Sequence, residues 1–121
     1  GLTSITIPDS VTSIGEYAFY YCYSLTSVEI PDSVTSIGGS AFYNCSSLTS
    51  VVIGNSVTTI GNYAFRGCRS LTEIVFNATN CADFSSSNYV FAYAGQSGEG
   101  IMVTIGKNVT KIPAYLFAAY Q

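Results

Sequence analysis

Residues 25–47 read LTSVEIPDSVTSIGGSAFYNCSS, and this stretch decides the fold because the chain repeats it. Residues 2–24 and 48–70 carry close copies, LTSITIPDSVTSIGEYAFYYCYS and LTSVVIGNSVTTIGNYAFRGCRS. Residues 71–99 and 100–121 hold two more divergent copies. A repeat of 23 residues is typical of a solenoid, in which each coil buries its apolar side chains only by stacking on its neighbours.

The sequence therefore predicts a single array over residues 1–121: a β-dominated, right-handed solenoid of the α/β class, with five coils. Each coil opens with alternating apolar and polar residues, which predicts a short strand with one buried face. We expect these strands to pair into one parallel sheet, with two apolar columns pointing inward. The columns are Ile5, Val28, Val51, Ile74 and Val103, then Ile7, Ile30, Ile53, Phe76 and Ile105.

A second extended segment and a turn complete each predicted coil. Pairs such as Val34 and Ile37 follow the first strand, and a glycine and then a compact turn or single helical turn come next. The turns carry the phenylalanines Phe19, Phe42, Phe65, Phe91 and Phe117. The fourth copy fits this plan if residues 85–88 and 95–100 are insertions, which we expect to bulge from the convex side.

Composition excludes several classes of function. Only 9% of the residues are charged and the net charge is −3, so the basic stripe that nucleic-acid binding needs is missing. No apolar run approaches the roughly 20 residues of a membrane span. The chain has no histidine, which removes the commonest general base and the commonest metal ligand. We therefore predict no metal, no cofactor, no nucleic acid and no membrane insertion.

Catalysis by two carboxylates alone is the remaining enzymatic possibility, as in glycosidases. Glu29 and Glu73 are the best pair, because both are predicted to point out of the sheet. They would lie two coils apart on an open face without a pocket to give them different roles. We therefore predict that the protein is not an enzyme and has no catalytic residues.

Three cysteines also follow the repeat. Cys22, Cys45 and Cys68 are spaced by 23 residues, so they should stack in neighbouring coils. A disulfide or metal ladder is one interpretation, but parallel side chains give poor disulfide torsions and zinc sites use paired C-x-x-C ligands. Since free cysteine is among the most buried residue types, we predict unpaired thiols in the core.

Ten tyrosines are many for a chain of this length. Four of them fall on the turns of the first two coils: Tyr20, Tyr21, Tyr23 and Tyr43. A tyrosine offers a rigid ring with a polar tip, so this cluster could bind a sugar or a protein, or it could pack at the edges of the coils. Arg66 and Arg69, in the equivalent turn of the third coil, are predicted to form a solvated face.

The pattern LxxIxIPxSVTxIGxxAFxxCxS resembles the BspA-like, or Treponema pallidum-type, leucine-rich-repeat family, and its IP-SVT-IG and AF-x-x-C boxes carry the likeness. The resemblance implies a leucine-rich-repeat solenoid from a secreted or cell-surface protein of a host-associated bacterium. It also implies adhesion to a host, extracellular-matrix or microbial surface protein. That family has no shared catalytic residues to carry over.

Two functions of different classes follow, with carbohydrate binding through the tyrosine turns as a third. The array could recognise a protein with its concave sheet, or it could be a spacer that presents another domain. A spacer should be uniformly polar on the outward sheet face, whereas Val52 and Val75 lie there beside Glu29 and Glu73. We therefore expect these four residues to form the binding face.

The ends of the sequence suggest a fragment of a longer array. Its first residues already belong to a full coil, and its last coil has no polar cap. Solenoids need atypical terminal coils to cover their apolar ends, so we expect possible self-association through the uncapped ends.

Overall fold

The computed structural model describes residues 4–84, 88–96 and 100–113 of the chain. Within these ranges the regular structure consists of eight short strands and connecting turns, with no helix. In chain order the strands are β1 (Ser4–Thr6), β2 (Ser13–Ile14), β3 (Ser27–Ile30), β4 (Ser36–Ile37), β5 (Ser50–Ile53), β6 (Thr59–Ile60), β7 (Glu73–Phe76) and β8 (Met102–Ile105).

The strands form two parallel sheets that run along the axis of a solenoid. The first sheet has the order β1-β3-β5-β7-β8, and the second has the order β2-β4-β6. Register partners such as Ser27 and Ser50 are one repeat of 23 residues apart, whereas Glu73 and Met102 are 29 apart (102 − 73). The six extra residues match the insertions expected in the fourth coil. The predicted β-dominated solenoid is thus confirmed, with one strand of the first sheet from each of the five predicted coils.

The inward columns of the first sheet are confirmed by its register. Val28 pairs with Val51, Val51 pairs with Ile74, and all three are buried. Val103 continues this column, but it is 37% exposed. It lies on β8, which has a partner strand on one side only.

The turn after the glycine is held by two alternating sets of backbone hydrogen bonds. One amide donates within its own turn, as Tyr43 N–H does to the Ser40 carbonyl at 3.2 Å. The neighbouring amide donates to the next coil, as Phe42 N–H does to the Ala64 carbonyl at 2.7 Å. This alternation satisfies the backbone amides and carbonyls on a third side of the solenoid, where the chain forms turns instead of strands.

The phenylalanines on these turns form a continuous stack, as the repeat predicts. Ring centroids are 5.0 Å apart for Phe19 and Phe42, 5.0 Å for Phe42 and Phe65, and 5.2 Å for Phe65 and Phe91. The rings are within 11° of parallel, and Phe42 and Phe65 each pack against a phenylalanine in the coil on either side. Phe117 lies outside the described residues.

Threonine hydroxyls link the coils beside both sheets. Thr49 Oγ1 donates to the Thr26 carbonyl at 2.9 Å, and Thr58 Oγ1 donates to the Thr35 carbonyl at 3.0 Å. Each hydroxyl reaches back by one repeat of 23 residues. The threonines that interrupt the apolar pattern therefore add side-chain hydrogen bonds parallel to the axis.

The fourth coil departs from the others in its second half. Cys81 and Phe84 are half-buried and pack against the core. The bulges expected at 85–88 and 95–100 fall largely on residues 85–87 and 97–99, which lie outside the described residues.

Candidate functional site

The outward face of the first sheet brings together the four residues predicted to bind a partner. Glu29 pairs with Val52 and Val52 pairs with Val75, so these three form a row across β3, β5 and β7. Glu73 lies in the neighbouring outward column, beside Ser50. The two glutamates are exposed and the two valines half-buried. The structure therefore presents all four on one surface, while their role in binding stays a prediction.

This surface continues into a depression of about 400 Å³ at the carboxyl end of β3. Three carboxylates line it, those of Asp9, Glu29 and Asp32, and no basic side chain does. Asp32 also accepts a hydrogen bond from the Asn55 amide at 2.8 Å. The sheet face is thus an acidic surface with an apolar centre at Val52.

Asp9 and Asp32 were not among the predicted site residues, although the repeat contained the signal. Both stand in a Pro-Asp-Ser turn directly after the first strand of their coil. Because successive coils stack in register, the two aspartates lie at one end of the sheet.

Clusters of metal-ligand residues and membrane-spanning helices are both absent from the part of the chain that the structure describes. There, no group of three or more histidine, cysteine, aspartate or glutamate residues is arranged to hold a metal ion. No helix in the same residues is long and apolar enough to cross a membrane.

The predicted tyrosine cluster forms on the turn side of the solenoid. Ring centroids are 4.4 Å apart for Tyr20 and Tyr21, 5.3 Å for Tyr20 and Tyr43, and 5.5 Å for Tyr21 and Tyr23. Tyr17 joins it, with its ring 5.1 Å from that of Tyr20. Tyr43 is half-buried and the other four are exposed. The rings therefore pack against one another between coils and still present a large aromatic surface.

On the predicted solvated face Arg69 is exposed, and the half-buried Arg66 extends the aromatic surface. Its guanidinium carbon lies 5.9 Å from the centroid of the Tyr43 ring, 5.3 Å from Tyr63 and 5.1 Å from Tyr93. These distances are within the range of cation–π contacts. The signal was the repeat itself, because Arg66 occupies the position of Tyr20 and Tyr43 in the third coil.

The structure confirms the prediction of unpaired cysteines. Cys22, Cys45, Cys68 and Cys81 are all free, and Cys45 and Cys68 are buried. The thiols of Cys45 and Cys68 each donate to a phenylalanine carbonyl of the preceding coil, at 3.1 and 3.3 Å. Burial raises the pKa of Cys45 to about 12 and that of Cys81 to about 11, and it raises the pKa of Cys68 well above its ordinary value.

The native thiols of Cys45, Cys68 and Cys81 are therefore expected to react slowly with a chromogenic disulfide at mildly alkaline pH. The thiolate is the reacting species, and a raised pKa leaves little of it. In denaturant under non-reducing conditions all four thiols should be titrated. Half that number or fewer would instead establish disulfide pairing.

Comparison with protein families gives one match over the whole chain. Residues 1–121 match the model of the "BspA type Leucine rich repeat region" as six copies of the repeat. No match was found among the curated proteins.

Three solved structures are similar to this chain. The T. pallidum leucine rich repeat protein TpLRR is 33% identical, with a TM-score of 0.58 over 84% of this chain and 49% of its own. A leucine rich cell surface protein from Faecalibacterium prausnitzii A2-165 is 33% identical, with a TM-score of 0.56 over 90% of this chain and 37% of its own. A leucine-rich repeat protein from Bacteroides ovatus ATCC 8483 is 31% identical, with a TM-score of 0.57 over 82% of this chain and 26% of its own. The chain thus spans at most about half the length of each of these relatives.

Proposed function

The chain belongs to the BspA-type leucine-rich-repeat family, and from this premise we propose that it is a non-catalytic protein-recognition module that supports adhesion. In this setting the protein is secreted by a bacterium or lies on its surface. One relative of similar structure is described as a leucine rich cell surface protein, which supports this setting. Repeat solenoids characteristically bind partners along an extended concave surface.

The observation that carries the proposal is the mixed character of the outward sheet face. Val52 and Val75 are paired apolar residues in adjacent strands, on a solvent-facing surface where polar residues are expected unless a partner covers it. Glu29 and Glu73 flank them, and Asp9 and Asp32 continue the negative charge beyond the end of the strands. Apolar contact area with charges around it is the usual construction of an interface.

A basic region of a host, extracellular-matrix or microbial surface protein is the partner that this face fits. Carboxylates around an apolar centre orient a cationic segment and accelerate its association. Five strands at 4.8 Å spacing present only about 250 Å² of sheet, whereas a standard interface needs about 800 Å² on each side. Binding by this chain alone should therefore be weak, at about micromolar Kd or weaker, and many copies would be needed for firm adhesion.

Replacing both Glu29 and Glu73 by lysine reverses two charges on the sheet face. This double substitution is expected to weaken binding to immobilised extracellular-matrix proteins by about tenfold or more. The chain should be presented as a multivalent conjugate, so that weak contacts become measurable by interferometry. Glu16→Lys is the matched control, because Glu16 is equally exposed but follows β2 and lies off the first sheet. Glu16→Lys should leave binding within about twofold of the unmodified chain.

Unchanged binding of the variant that carries both Glu29→Lys and Glu73→Lys would show that the sheet face is not the recognition surface. If the multivalent conjugate binds none of the immobilised extracellular-matrix proteins, the alternative function is favoured, a spacer that presents another domain.

A further inference from the structure

A second exposed surface, separate from the sheet face, runs across the turns of four coils. We call it the tyrosine–arginine strip, and its residues are Tyr20, Tyr21, Tyr43, Tyr63, Arg66 and Tyr93. We propose that this strip binds an acidic segment of a protein partner, with Arg66 pairing with a carboxylate and the tyrosine edges supplying the contact area.

The strip is continuous. Tyr43 lies 5.3 Å from Tyr20 and 5.8 Å from Tyr21, measured between ring centroids. The Arg66 guanidinium joins Tyr43 to Tyr63 and Tyr93 at distances of 5.1–5.9 Å. Exposed rings on the first and fourth coils, joined by the half-buried rings of Tyr43 and Tyr63, exceed the scattered apolar residues of an ordinary surface.

The backbone of the strip indicates that the tyrosines are not there for folding. Tyr21 and Tyr93 have positive φ angles of 57° and 60°, in the left-handed region that side chains with a Cβ disfavour. Amide hydrogen bonds between coils place Asn44 and Gly67 at the equivalent position of the two coils between them. Asparagine and glycine adopt this conformation at low cost.

A large side chain in the left-handed region is destabilising unless something else compensates. The neighbouring coils show that the same turn forms with Asn44 or Gly67 instead. Tyr17 and Tyr63 also have positive φ angles, as does Ser40 at the equivalent position of the coil between them. Tyr21 and Tyr93, whose rings are exposed, are therefore best explained by a contact outside the chain.

Arg66 supplies the charge that selects the partner. It is half-buried among three aromatic rings, which restricts the motion of its guanidinium. Among the described residues the ion pair present is Lys111–Asp83, so no described carboxylate neutralises Arg66. A guanidinium held on aromatic faces keeps its N–H edges available for a planar, bidentate carboxylate.

The ring geometry favours a protein over a sugar. One face of the Tyr20 ring stacks on Tyr43 at 5.3 Å, and the rings of Tyr17 and Tyr21 contact it in edge-to-face geometry at 5.1 and 4.4 Å. Sugar rings stack on open aromatic faces, whereas packed tyrosines offer edges and hydroxyl groups. Tyrosine and arginine are also the residues that dominate binding energy in protein interfaces and in antibody paratopes.

The test is selection of short random peptides displayed on phage against the immobilised chain, with a printed array of sulfated and uronic acid glycans in parallel. Enriched peptides should carry a net negative charge together with apolar residues. Arg66→Gln, which keeps the side chain long and polar, should weaken their binding about tenfold.

The second variant combines Tyr17→Ser with Tyr21→Asn, which copies the residues of the second coil into the first. Ser40 and Asn44 already adopt the positive φ angles of the same turn, so the variant should still fold, as circular dichroism would show, while peptide binding falls. Glu29→Lys should leave peptide binding unchanged, which keeps this surface distinguishable from the sheet face.

Three results would overturn the proposal. One is the absence of any enriched peptide, and another is the enrichment of basic or neutral peptides whose binding is lost in Glu29→Lys. The third is binding to acidic glycans that is lost in both strip variants, which would assign the strip to carbohydrate.

Discussion

Replacing Phe42 by alanine is expected to lower the free energy of unfolding by about 3–5 kcal/mol, the usual cost of removing a buried aromatic ring. Phe42 is 0% exposed, and its ring stacks at 5.0 Å on Phe19 and on Phe65. The substitution therefore leaves a cavity between coils on both sides. Urea denaturation followed by circular dichroism measures the loss.

Tyr23→Ala is the control for this substitution, because Tyr23 is 57% exposed and lies outside the phenylalanine stack. It should cost about 0.5 kcal/mol or less, as for other surface substitutions. If Phe42→Ala prevents folding altogether, Phe42→Leu should still fold with an intermediate loss. Equal midpoints for Phe42→Ala and Tyr23→Ala would mean that the turns do not stack in this register.

Gly61→Ala is expected to destabilise the protein by about 1–3 kcal/mol or more, because the added methyl group has no space. A Cβ at Gly61 would meet the amide nitrogen of Gly39 and lie 2.6 Å from its Cα. These atoms belong to the backbone of the preceding coil and cannot rotate away. The coils would have to separate locally, which would weaken the hydrogen bond from the Gly61 amide to the Ile37 carbonyl.

The matched control is Gly15→Ala, at the same position of the first coil. A Cβ there has no atom within 4 Å, and its φ angle is not in the left-handed region. This substitution should be neutral or stabilise the chain by about 0.4–1 kcal/mol, because alanine restricts the unfolded state. Similar losses in the two variants would contradict the close approach of the coils.

The repeat allowed the strands, the inward columns and the phenylalanine stack to be predicted. Identical residues at one spacing must occupy the same place in every coil, so the spacing is enough to align Val28, Val51 and Ile74. Within a strand, alternation also fixes which side chains point outward, and Glu29 and Val52 lie where that rule places them.

The turn side could not be predicted in the same way, because a turn has no simple periodicity. Glycine is the residue expected in left-handed conformations, yet Gly38 and Gly61 are required for close backbone contact. Most of the non-glycine residues with positive φ angles are tyrosines. The contacts of Arg66 with three rings depend on the path of the turn and on the distance between coils. The repeat showed which residues are equivalent, but not how far their side chains reach.

Recognition by the outward sheet face is tested most directly by the nuclear magnetic resonance spectrum of the valine methyl groups, recorded while a matrix protein that the chain binds is added. Val52 and Val75 point outward from the sheet. Val28 and Val51 belong to the same sheet but point into the core, where they are buried, so they serve as internal references. Recognition by this face predicts shifts or broadening at Val52 and Val75, with much smaller changes at Val28 and Val51. Unchanged Val52 and Val75 signals, with binding that depends on Tyr20 and Tyr43, would contradict it.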